Sequence, residues 1–299
     1  MINTSIYKSE FQKMIRNNAY DGYVLQEGCD SANEAYLAPS LDREKFNQAM
    51  EKDCLFRKYA TKFQVQRPDG TVVAVASSGT AEITATGQLY PVDADTFKKV
   101  YFEAFKIASL CKLSQQFMND TKFDLYTYLI REFARRFARA EEKVMLTGTG
   151  QEEPLGLLNS SVSISTEELG RITYDDLLKL YFSLDAEYRN NAIWIMNDET
   201  AFSLRLLKDP NGNPFWEHGQ EMLFGKPVVI SPYMPAIASG AKPILIGDLS
   251  YYWLLQRQEL TIKPLFEIFM AQGQIGYTAY ERLDGKLIRK DAVRSLLVK

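Results

Sequence analysis

The sequence has little of the chemistry from which catalytic and metal sites are built. It contains one histidine, His218, and three cysteines, Cys29, Cys54 and Cys111, with no CxxC spacing. An odd number of scattered cysteines fits neither a disulfide framework nor a zinc site, and indicates folding in a reducing compartment. Any catalytic triad must use His218. That residue lies among Asn, Pro and Gly residues, so we predict a solvated loop rather than a catalytic base.

The chain also lacks an excess of one charge and any long apolar run. Its formal net charge is −3 over 299 residues, which argues against a dedicated nucleic-acid binder with a strongly basic face. No run approaches the roughly 18 apolar residues of a membrane span, and residues 1–11 carry Lys and Glu where a signal peptide would be apolar. With 46% hydrophobic residues the chain can bury a core. We expect a folded protein of one large or two ordinary domains in a soluble compartment, with no membrane partner.

Three short motifs resemble binding sites only superficially. Glu152 with Glu153, and Glu167 with Glu168, are charge pairs without the spacing of metal ligands. Residues 148–150 (Gly-Thr-Gly) follow a predicted helix, whereas a phosphate-binding loop leads into one and usually carries Lys-Ser/Thr. We interpret them as the helix end. The sequence therefore predicts no catalytic, cofactor-binding or metal-binding residue, and hence no enzyme and no cofactor.

The N-terminal third contains two segments without a core of their own. Residues up to about 40 mix polar residues with scattered aromatics at weak periodicity, which indicates an arm that packs on something else. Residues 41–59 allow a helix running into an extended segment. Residues 64–97 are rich in β-branched and small side chains and predict a long β-hairpin. Val72, Val73 and Val75 on one limb and Ile83 on the other supply little apolar mass, so we expect this hairpin to need a partner surface.

A long helix is the clearest regular element. Asn119 or Asp120 can cap a helix that continues to Thr147, about 40 Å long. Apolar residues at helical spacing form one stripe: Phe123, Tyr126, Ile130, Phe133, Phe137, Ala140 and Val144. Charged residues occupy much of the rest: Arg131, Arg135, Arg136, Arg139, Glu132, Glu141 and Glu142. For the arginines we favour a solvated or intersubunit salt-bridging face over DNA contact.

The remainder alternates helix and strand. We predict helices over 174–188 and 198–208, and strands over 192–196, 226–231 and 243–246. Residues 260–299 are predicted to be mostly strand, with strands 272–282 and 286–297 separated by Asp284 and Gly285.

Several motifs, taken in order, carry a family resemblance. The most specific is Met-Leu-Thr-Gly-Thr-Gly at 145–150 followed by Pro-Leu-Gly-Leu-Leu at 154–158. Others lie at 87–97, 113–120, 196–198, 206–209, 223–229 and 281–283. From about Tyr36 to the C terminus, their order and spacing resemble the major capsid proteins of tailed bacteriophages, the Hong Kong 97-like fold.

This resemblance implies an α+β fold with four parts. They are an N-terminal arm (1–60), an extended E-loop hairpin (61–97), a peripheral domain with a long spine helix (98–150 and 257–299) and an axial domain (151–256). The implied function is a structural subunit that self-assembles, as hexamers and pentamers, into the icosahedral virion shell around phage DNA. Implied partners are a separate scaffolding protein, a portal, a maturation protease and DNA held by non-specific contact, with assembly in the bacterial cytoplasm. An encapsulin-type bacterial shell and a soluble α/β enzyme are the alternatives.

The sequence departs from one property of this family. Some shells crosslink their subunits through an isopeptide bond between an E-loop Lys and a peripheral-domain Asn, assisted by a Glu that takes the proton. The matching positions here are Tyr90, Gly273 and Tyr280. We therefore expect a shell held by non-covalent contacts.

Overall fold

The computed structural model describes residues 4–16, 19–26, 29–30, 35–77, 96–119, 124–208, 211–216, 219 and 221–299. The helices are α1 (Thr4–Ile15), α2 (Gly22–Leu25), α3 (Ser40–Asp53), α4 (Leu55–Tyr59), α5 (Gln115–Asn119), α6 (Leu125–Thr147), α7 (Leu157–Ser160), α8 (Tyr174–Ser183), α9 (Ala186–Arg189) and α10 (Asp198–Arg205). The strands are β1 (Cys29–Asp30), β2 (Ala35–Leu37), β3 (Thr61–Gln64), β4 (Asp69–Ser77), β5 (Thr96–Glu103), β6 (Phe105–Ser114), β7 (Val162–Ser165), β8 (Ile193–Met196), β9 (Met222–Leu223), β10 (Lys226–Ile230), β11 (Ile244–Gly247), β12 (Tyr252–Leu265), β13 (Gln274–Leu287) and β14 (Val293–Leu297).

The first sheet is built on the long antiparallel pair β12 and β13. Its order is β1-β2-β12-β13-β6, and β3 pairs in parallel with the first half of β12. Along β13, alternate residues Ile275, Tyr277, Ala279 and Leu283 enter the same core as Phe133 and Phe137 of α6. Because side chains alternate across a strand, one face of this sheet carries the long helix and the other face carries the remaining positions.

The start of the long helix differs from the sequence prediction. The helix α6 begins at Leu125, where the Asp124 carboxylate accepts a hydrogen bond from the Thr127 N–H (3.2 Å). Asn119 ends the separate short helix α5, and the predicted cap Asp120 and the stripe residue Phe123 lie outside the described residues. With 23 residues the helix is about 34 Å long. The predicted C-terminal end at Thr147 is confirmed.

The N-terminal helices pack on the chain's own core, so the expectation that residues 1–60 form an arm without one is wrong for the described part. In α1, four buried side chains recur at helical spacing: Tyr7, Phe11, Met14 and Ile15. The Phe11 ring meets Tyr126 edge-on at 5.9 Å, and the Tyr277 hydroxyl donates to the Ile15 carbonyl (2.9 Å). Residues 55–59 form the helix α4, whereas the sequence predicted an extended segment there.

The β-hairpin is confirmed: its first limb lies inside the predicted range 61–97, and its second limb runs beyond that range to Glu103. Strand β4 pairs with β5 from Asp69 opposite Glu103 to Ser77 opposite Thr96. Residues 61–64 instead form β3 and pair with β12, where the Phe63 ring contacts Trp253. Residues 98–103, assigned to the next domain from the sequence, form the second limb. Residues 78–95, including Ile83, lie outside the described residues.

The second sheet has the order β7-β14-β11-β8-β10-β9 and its own core. Its central strand β8 is completely buried, and the Trp194 indole N–H donates to the Leu223 carbonyl (2.9 Å). The predicted helices and strands of this region are confirmed to within a few residues, except that 174–188 is split into α8 and α9. Strand β14, at the end of the range 257–299, pairs with β7 and β11 and so belongs to the second sheet.

The predicted turn at Asp284 and Gly285 is also wrong. Strand β13 continues through both residues, which pair with Leu255 and Leu254 of β12. A side chain at Gly285 would come within 2.1 Å of the Tyr252 hydroxyl. The glycine therefore leaves room for the Tyr252 side chain and does not form a turn. The buried Asp284 carboxylate accepts from the Glu103 N–H (3.0 Å). No helix among the described residues is both long and apolar enough to cross a membrane.

Candidate assembly surfaces

The β4–β5 hairpin has exposed apolar side chains. Phe97 and Tyr101 are 65% and 56% exposed, and within the described residues the two strands pair only with each other. The base is anchored because Phe102 is buried over Gly70 and the Ala104 N–H donates to the Pro68 carbonyl (2.7 Å). A two-stranded hairpin with exposed rings is marginally stable alone, so this one is suited to lie on another surface.

The helices that accompany the second sheet carry exposed apolar side chains. Phe202 and Leu206, 64% and 59% exposed, are four residues apart at α10 and its C-cap and so share a face. Phe182 at the end of α8 is 65% exposed, and the Arg189 guanidinium lies 5.4 Å from its ring. Large apolar side chains gathered on one unit mark a contact surface more often than scattered single residues do.

A buried charge cluster joins the N-terminal helices to the long helix and the first sheet. Arg57 of α4 is 2% exposed; its Nε donates to Glu141 Oε2 (2.8 Å) and its Nη2 to Glu141 Oε1 (2.6 Å). The same Nη2 donates to Glu281 Oε2 of β13 (3.0 Å). Gln256 of β12 completes the cluster, since its Nε2 donates to Glu281 Oε2 (3.1 Å). One guanidinium thus holds two carboxyl groups from different elements.

The pKa values of the two carboxyl groups are shifted in opposite directions. Burial, followed by the charge of Glu141, raises the pKa of Glu281 well above its usual value, so the buried site favours the protonated form of this group. Burial also acts to raise the pKa of Glu141, but Arg57 and the hydrogen bonds of the cluster outweigh it and lower that pKa. The pKa of Arg57 is raised: burial opposes the charged form, and Glu141 and Glu281 overcome that effect. The cluster therefore pairs the Arg57 cation with the Glu141 anion, while burial favours the protonated form of Glu281.

A second buried carboxylate lies beside it. Glu142 accepts from the Leu55 N–H (3.1 Å) and from the Ser231 hydroxyl (2.6 Å). The placement of Glu141 and Glu142 on the outer face of the helix, which their charge suggested, is therefore wrong. Both lie four residues beyond Phe137 and Ala138 on the buried stripe, and this spacing was the signal available in the sequence.

The helix exit at 148–156 is a close backbone crossing. The Gly156 N–H donates to the Gly148 carbonyl (2.8 Å), and Thr149 forms a bridge with Leu155. A side chain at Gly156 would lie 2.5 Å from the Gly148 nitrogen, and one at Gly148 would lie 2.2 Å from the Pro154 carbonyl oxygen. This packing explains the Gly-Thr-Gly and Pro-Leu-Gly motifs and agrees with the interpretation of 148–150 as the helix end.

The two acidic pairs that the sequence analysis considered as metal ligands make contacts within the chain. The Glu153 carboxylate accepts from the Thr149 N–H (2.8 Å) and orders the helix exit, while its neighbour Glu152 is exposed at positive φ. Glu167 pairs with Lys179 at the surface. Among the residues that the structure describes, no group of three or more His, Cys, Asp and Glu side chains could hold a metal ion.

The remaining residues singled out in the sequence do not come together in a site. Cys54 and Cys111 are buried free thiols, and burial raises the pKa of both. Gly273 ends a short turn in the left-handed conformation, and Tyr280 is buried with the Lys106 ammonium 4.3 Å from its ring centre. His218 and Tyr90 lie outside the described residues.

Comparison with solved structures finds capsid proteins over most of the chain. The capsid of a native GTA particle is 26% identical and superposes with a TM-score of 0.68, covering 82% of this chain and 90% of that one. The protein of Microbacterium phage Oxtober96 is 13% identical with a TM-score of 0.62, covering 82% and 91%. The SrpI encapsulin of Synechococcus elongatus PCC 7942 is 14% identical with a TM-score of 0.58, covering 81% and 85%.

The latter two matches show the fold alone, and that fold confirms the predicted α+β, Hong Kong 97-like class. A search of curated proteins found no match. The model of the phage capsid family matches residues 34–297, nearly the whole chain. The chain belongs to the phage capsid family.

Proposed function

We propose that this chain is the major capsid protein of a tailed phage or prophage, and that its copies form the icosahedral head shell around phage DNA. Its role is structural, as expected of a capsid family member. The observation that carries the proposal is the β4–β5 hairpin. Its Phe97 and Tyr101 rings are open, and it joins neither six-stranded sheet in the described part of the chain. A neighbouring copy is the surface that such a hairpin needs.

The hairpin can be removed without cutting the body, because its register defines where to join the limbs. Thr71 lies opposite Tyr101, and Val72 lies opposite Val100. Replacing residues 72–100 with Asn-Gly closes the remaining strands with a two-residue turn and keeps the Phe102 anchor. We expect a folded protein, by circular dichroism and a cooperative urea transition, that no longer forms shells in negative-stain microscopy and light scattering.

A point variant provides a milder version of the same test. Phe97→Ser keeps the hairpin and removes one open ring, and Lys99→Ser removes a neighbouring exposed side chain on the same strand as a matched control. Phe97→Ser should raise the protein concentration needed for shell formation, and Lys99→Ser should not. A folded protein that assembles normally after the 72–100 replacement would overturn the proposal for the hairpin.

The finer features of the proposal follow from the resemblance and the physical division of the chain. The shell would contain hexamers and pentamers, since cyclic head-to-tail contacts give closed rings. The second sheet would form the axial unit and the first sheet with α6 the peripheral unit, with β14 added to the axial one. A separate scaffolding protein, a portal and a maturation protease would complete assembly in the bacterial cytoplasm, and DNA would be held by non-specific contact.

An encapsulin-type shell is the second candidate, because the SrpI encapsulin shares the fold with a TM-score of 0.58. The 26% identity with a GTA capsid favours the phage capsid. The contents of particles made in the producing bacterium separate the two. Nuclease-protected double-stranded DNA supports the phage capsid, whereas a protein cargo without protected DNA supports the encapsulin.

A further inference from the structure

The outward face of α6 carries a column of cations. Arg131, Arg135, Arg139 and Lys143 are exposed and recur every four residues, so they lie along one side of the helix over about 18 Å. Glu132 pairs with both Arg135 and Arg136, at 2.6 and 2.8 Å, so its single negative charge offsets one of these two positive charges. The side chains of Arg131, Arg139 and Lys143 have no ion-pair partner among the residues that the structure describes.

Two grooves border this column. A groove of about 340 Å³ separates α6 from α3 and is lined by Lys45, Lys52, Asp53 and Arg131 among others. A second groove, of about 420 Å³, lies on the other side of the helix and includes Asp124, Arg131 and Arg135. Arg131 forms a wall of both. The column and its two grooves carry more cations than anions, because Lys45, Lys52, Arg131, Arg135, Arg139 and Lys143 outnumber Asp53, Asp124 and Glu132.

We infer that this face, defined by Arg131, Arg135, Arg139, Lys143 and Lys52, contacts the phosphate backbone of double-stranded DNA. This inference rests on the proposed function, since it takes the enclosed DNA as the ligand. An 18 Å column faces about five phosphates of one strand, because each strand of B-DNA carries one charge per about 3.4 Å. Arginine and lysine side chains bind phosphate without reading sequence.

The composition of the face distinguishes DNA from an acidic protein as the partner. The core of a protein interface is apolar and depleted of charged residues, whereas the positions of this column from Arg131 to Lys143 are all cationic. The opposite face of the first sheet is also basic but differs in one respect. Lys106 and Lys112 each lie 4.3 Å from the centre of an aromatic ring, of Tyr280 and Phe269, so their charge is partly engaged within the chain.

The test compares two variants that remove the same charge. The column variant carries Arg131→Gln, Arg139→Gln and Lys143→Gln. The sheet variant carries glutamine at Lys106, Lys112 and Lys263, which line the other side of the molecule. Binding of a random-sequence 30-base-pair DNA to unassembled full-length protein is measured by fluorescence anisotropy between 50 and 200 mM salt. The slope of log K against log salt falls by about 0.9 for each phosphate that the protein no longer neutralises.

We expect the column variant to lower the slope by about 2.7 and the sheet variant to leave it nearly unchanged. A milder variant, Arg139→Gln alone, should lower it by about 0.9, and Arg131→Lys with Arg139→Lys should preserve it because the charge remains. Thermal unfolding at the wild-type temperature shows that each variant is folded.

An equal decrease in both triple variants, or no decrease in either, would overturn the inference, as would a wild-type protein that does not bind this DNA at 50 mM salt. A column variant that binds DNA normally yet forms no shells would also overturn it and assign the face to a protein contact. Failure of the proposed function is seen separately, as a wild-type protein that forms no shells at all.

Discussion

The buried Arg57 cluster predicts that two neighbouring glutamates differ sharply in their contribution to stability. Glu141 is the charged partner of a guanidinium that is almost fully buried, whereas burial favours the protonated form of Glu281. Replacing Glu141 with glutamine leaves Arg57 without its counter-charge, and breaking a buried pair in this way costs about 3–5 kcal/mol. Glutamine at position 281 reproduces the uncharged, hydrogen-bonding form that burial favours for Glu281, so Glu281→Gln should cost about 1 kcal/mol or less.

Variants of Arg57 test the same reasoning from the other side. Arg57→Met leaves the Glu141 charge buried and should also cost about 3–5 kcal/mol. Combining Arg57→Met with Glu141→Gln removes both charges, so the pair should cost much less than the sum of the two single changes. The free energy of unfolding is measured from urea transitions of unassembled protein by linear extrapolation, with circular dichroism and fluorescence followed together.

The pH dependence of the free energy of unfolding tests the two pKa shifts independently. The pKa of Glu281 is raised on folding, so its stabilising contribution is complete below its unfolded pKa near 4.5 and is lost as pH rises towards the folded value. The pKa of Glu141 is lowered, so its contribution is present above 4.5 and is lost as pH falls. The stability of Glu281→Gln relative to wild type should therefore improve as pH rises from 4.5.

Three results would refute this reasoning. The first is an equal cost for Glu141→Gln and Glu281→Gln, which would mean that the carboxyl groups share the charge evenly. The second is additivity of Arg57→Met and Glu141→Gln, which would mean that they do not interact. The third is a constant difference between Glu281→Gln and wild type from pH 4.5 to 8, which would mean that Glu281 has an ordinary pKa.

Three further predictions test the core, the helix exit and the covalent state of the shell. Phe133→Ala should cost about 3–5 kcal/mol in urea unfolding because the ring is completely buried, and Phe202→Ala, exposed in the free subunit, should cost little; equal costs would contradict the core assignment. Gly156→Ala should cost about 1–3 kcal/mol because a side chain there meets backbone, whereas Gly22→Ala, with open space around it, should be neutral. Particles boiled in denaturant should run as one band of monomer mass because Tyr90 replaces the crosslinking lysine; a ladder that survives reducing agent would contradict this.

Elements with a strong local pattern could be predicted from the sequence. The apolar period of α6, the buried run of β8 and the β-branched residues of the hairpin each identify their own structure. The helix α1 does not stand out in the same way, although Tyr7, Phe11 and Met14 recur at helical spacing, because polar residues surround them and give the segment the character of an arm. Its stability comes from packing against Tyr126 and Tyr277, which are distant in sequence.

Features that depend on distant partners could not be predicted. Glu141 is charged and lies on a helix rich in arginine, so its residue type alone predicts that its side chain is exposed to solvent. Its partner Arg57 is 84 residues away, and only the fold brings the two together. In the same way, Asp284 and Gly285 have the composition of a turn, but contacts with Glu103 and Tyr252 hold them inside a continuous strand.

The placement of the N-terminal helices changes where the energy of assembly must come from. Because α1, α3 and α4 are buried in the chain's own core, they add to the stability of the subunit, and the open side chains of the hairpin and of α10 remain for contacts between copies. Fully burying one large apolar side chain contributes about 1.5–3 kcal/mol, so Phe97 and Tyr101, which are 65% and 56% exposed, together supply about 2–4 kcal/mol. Association alone costs about 4–15 kcal/mol. These two rings alone therefore do not hold two subunits together, and we expect each copy to engage its neighbours through further contacts as well, among them the exposed Phe202 and Leu206 at α10.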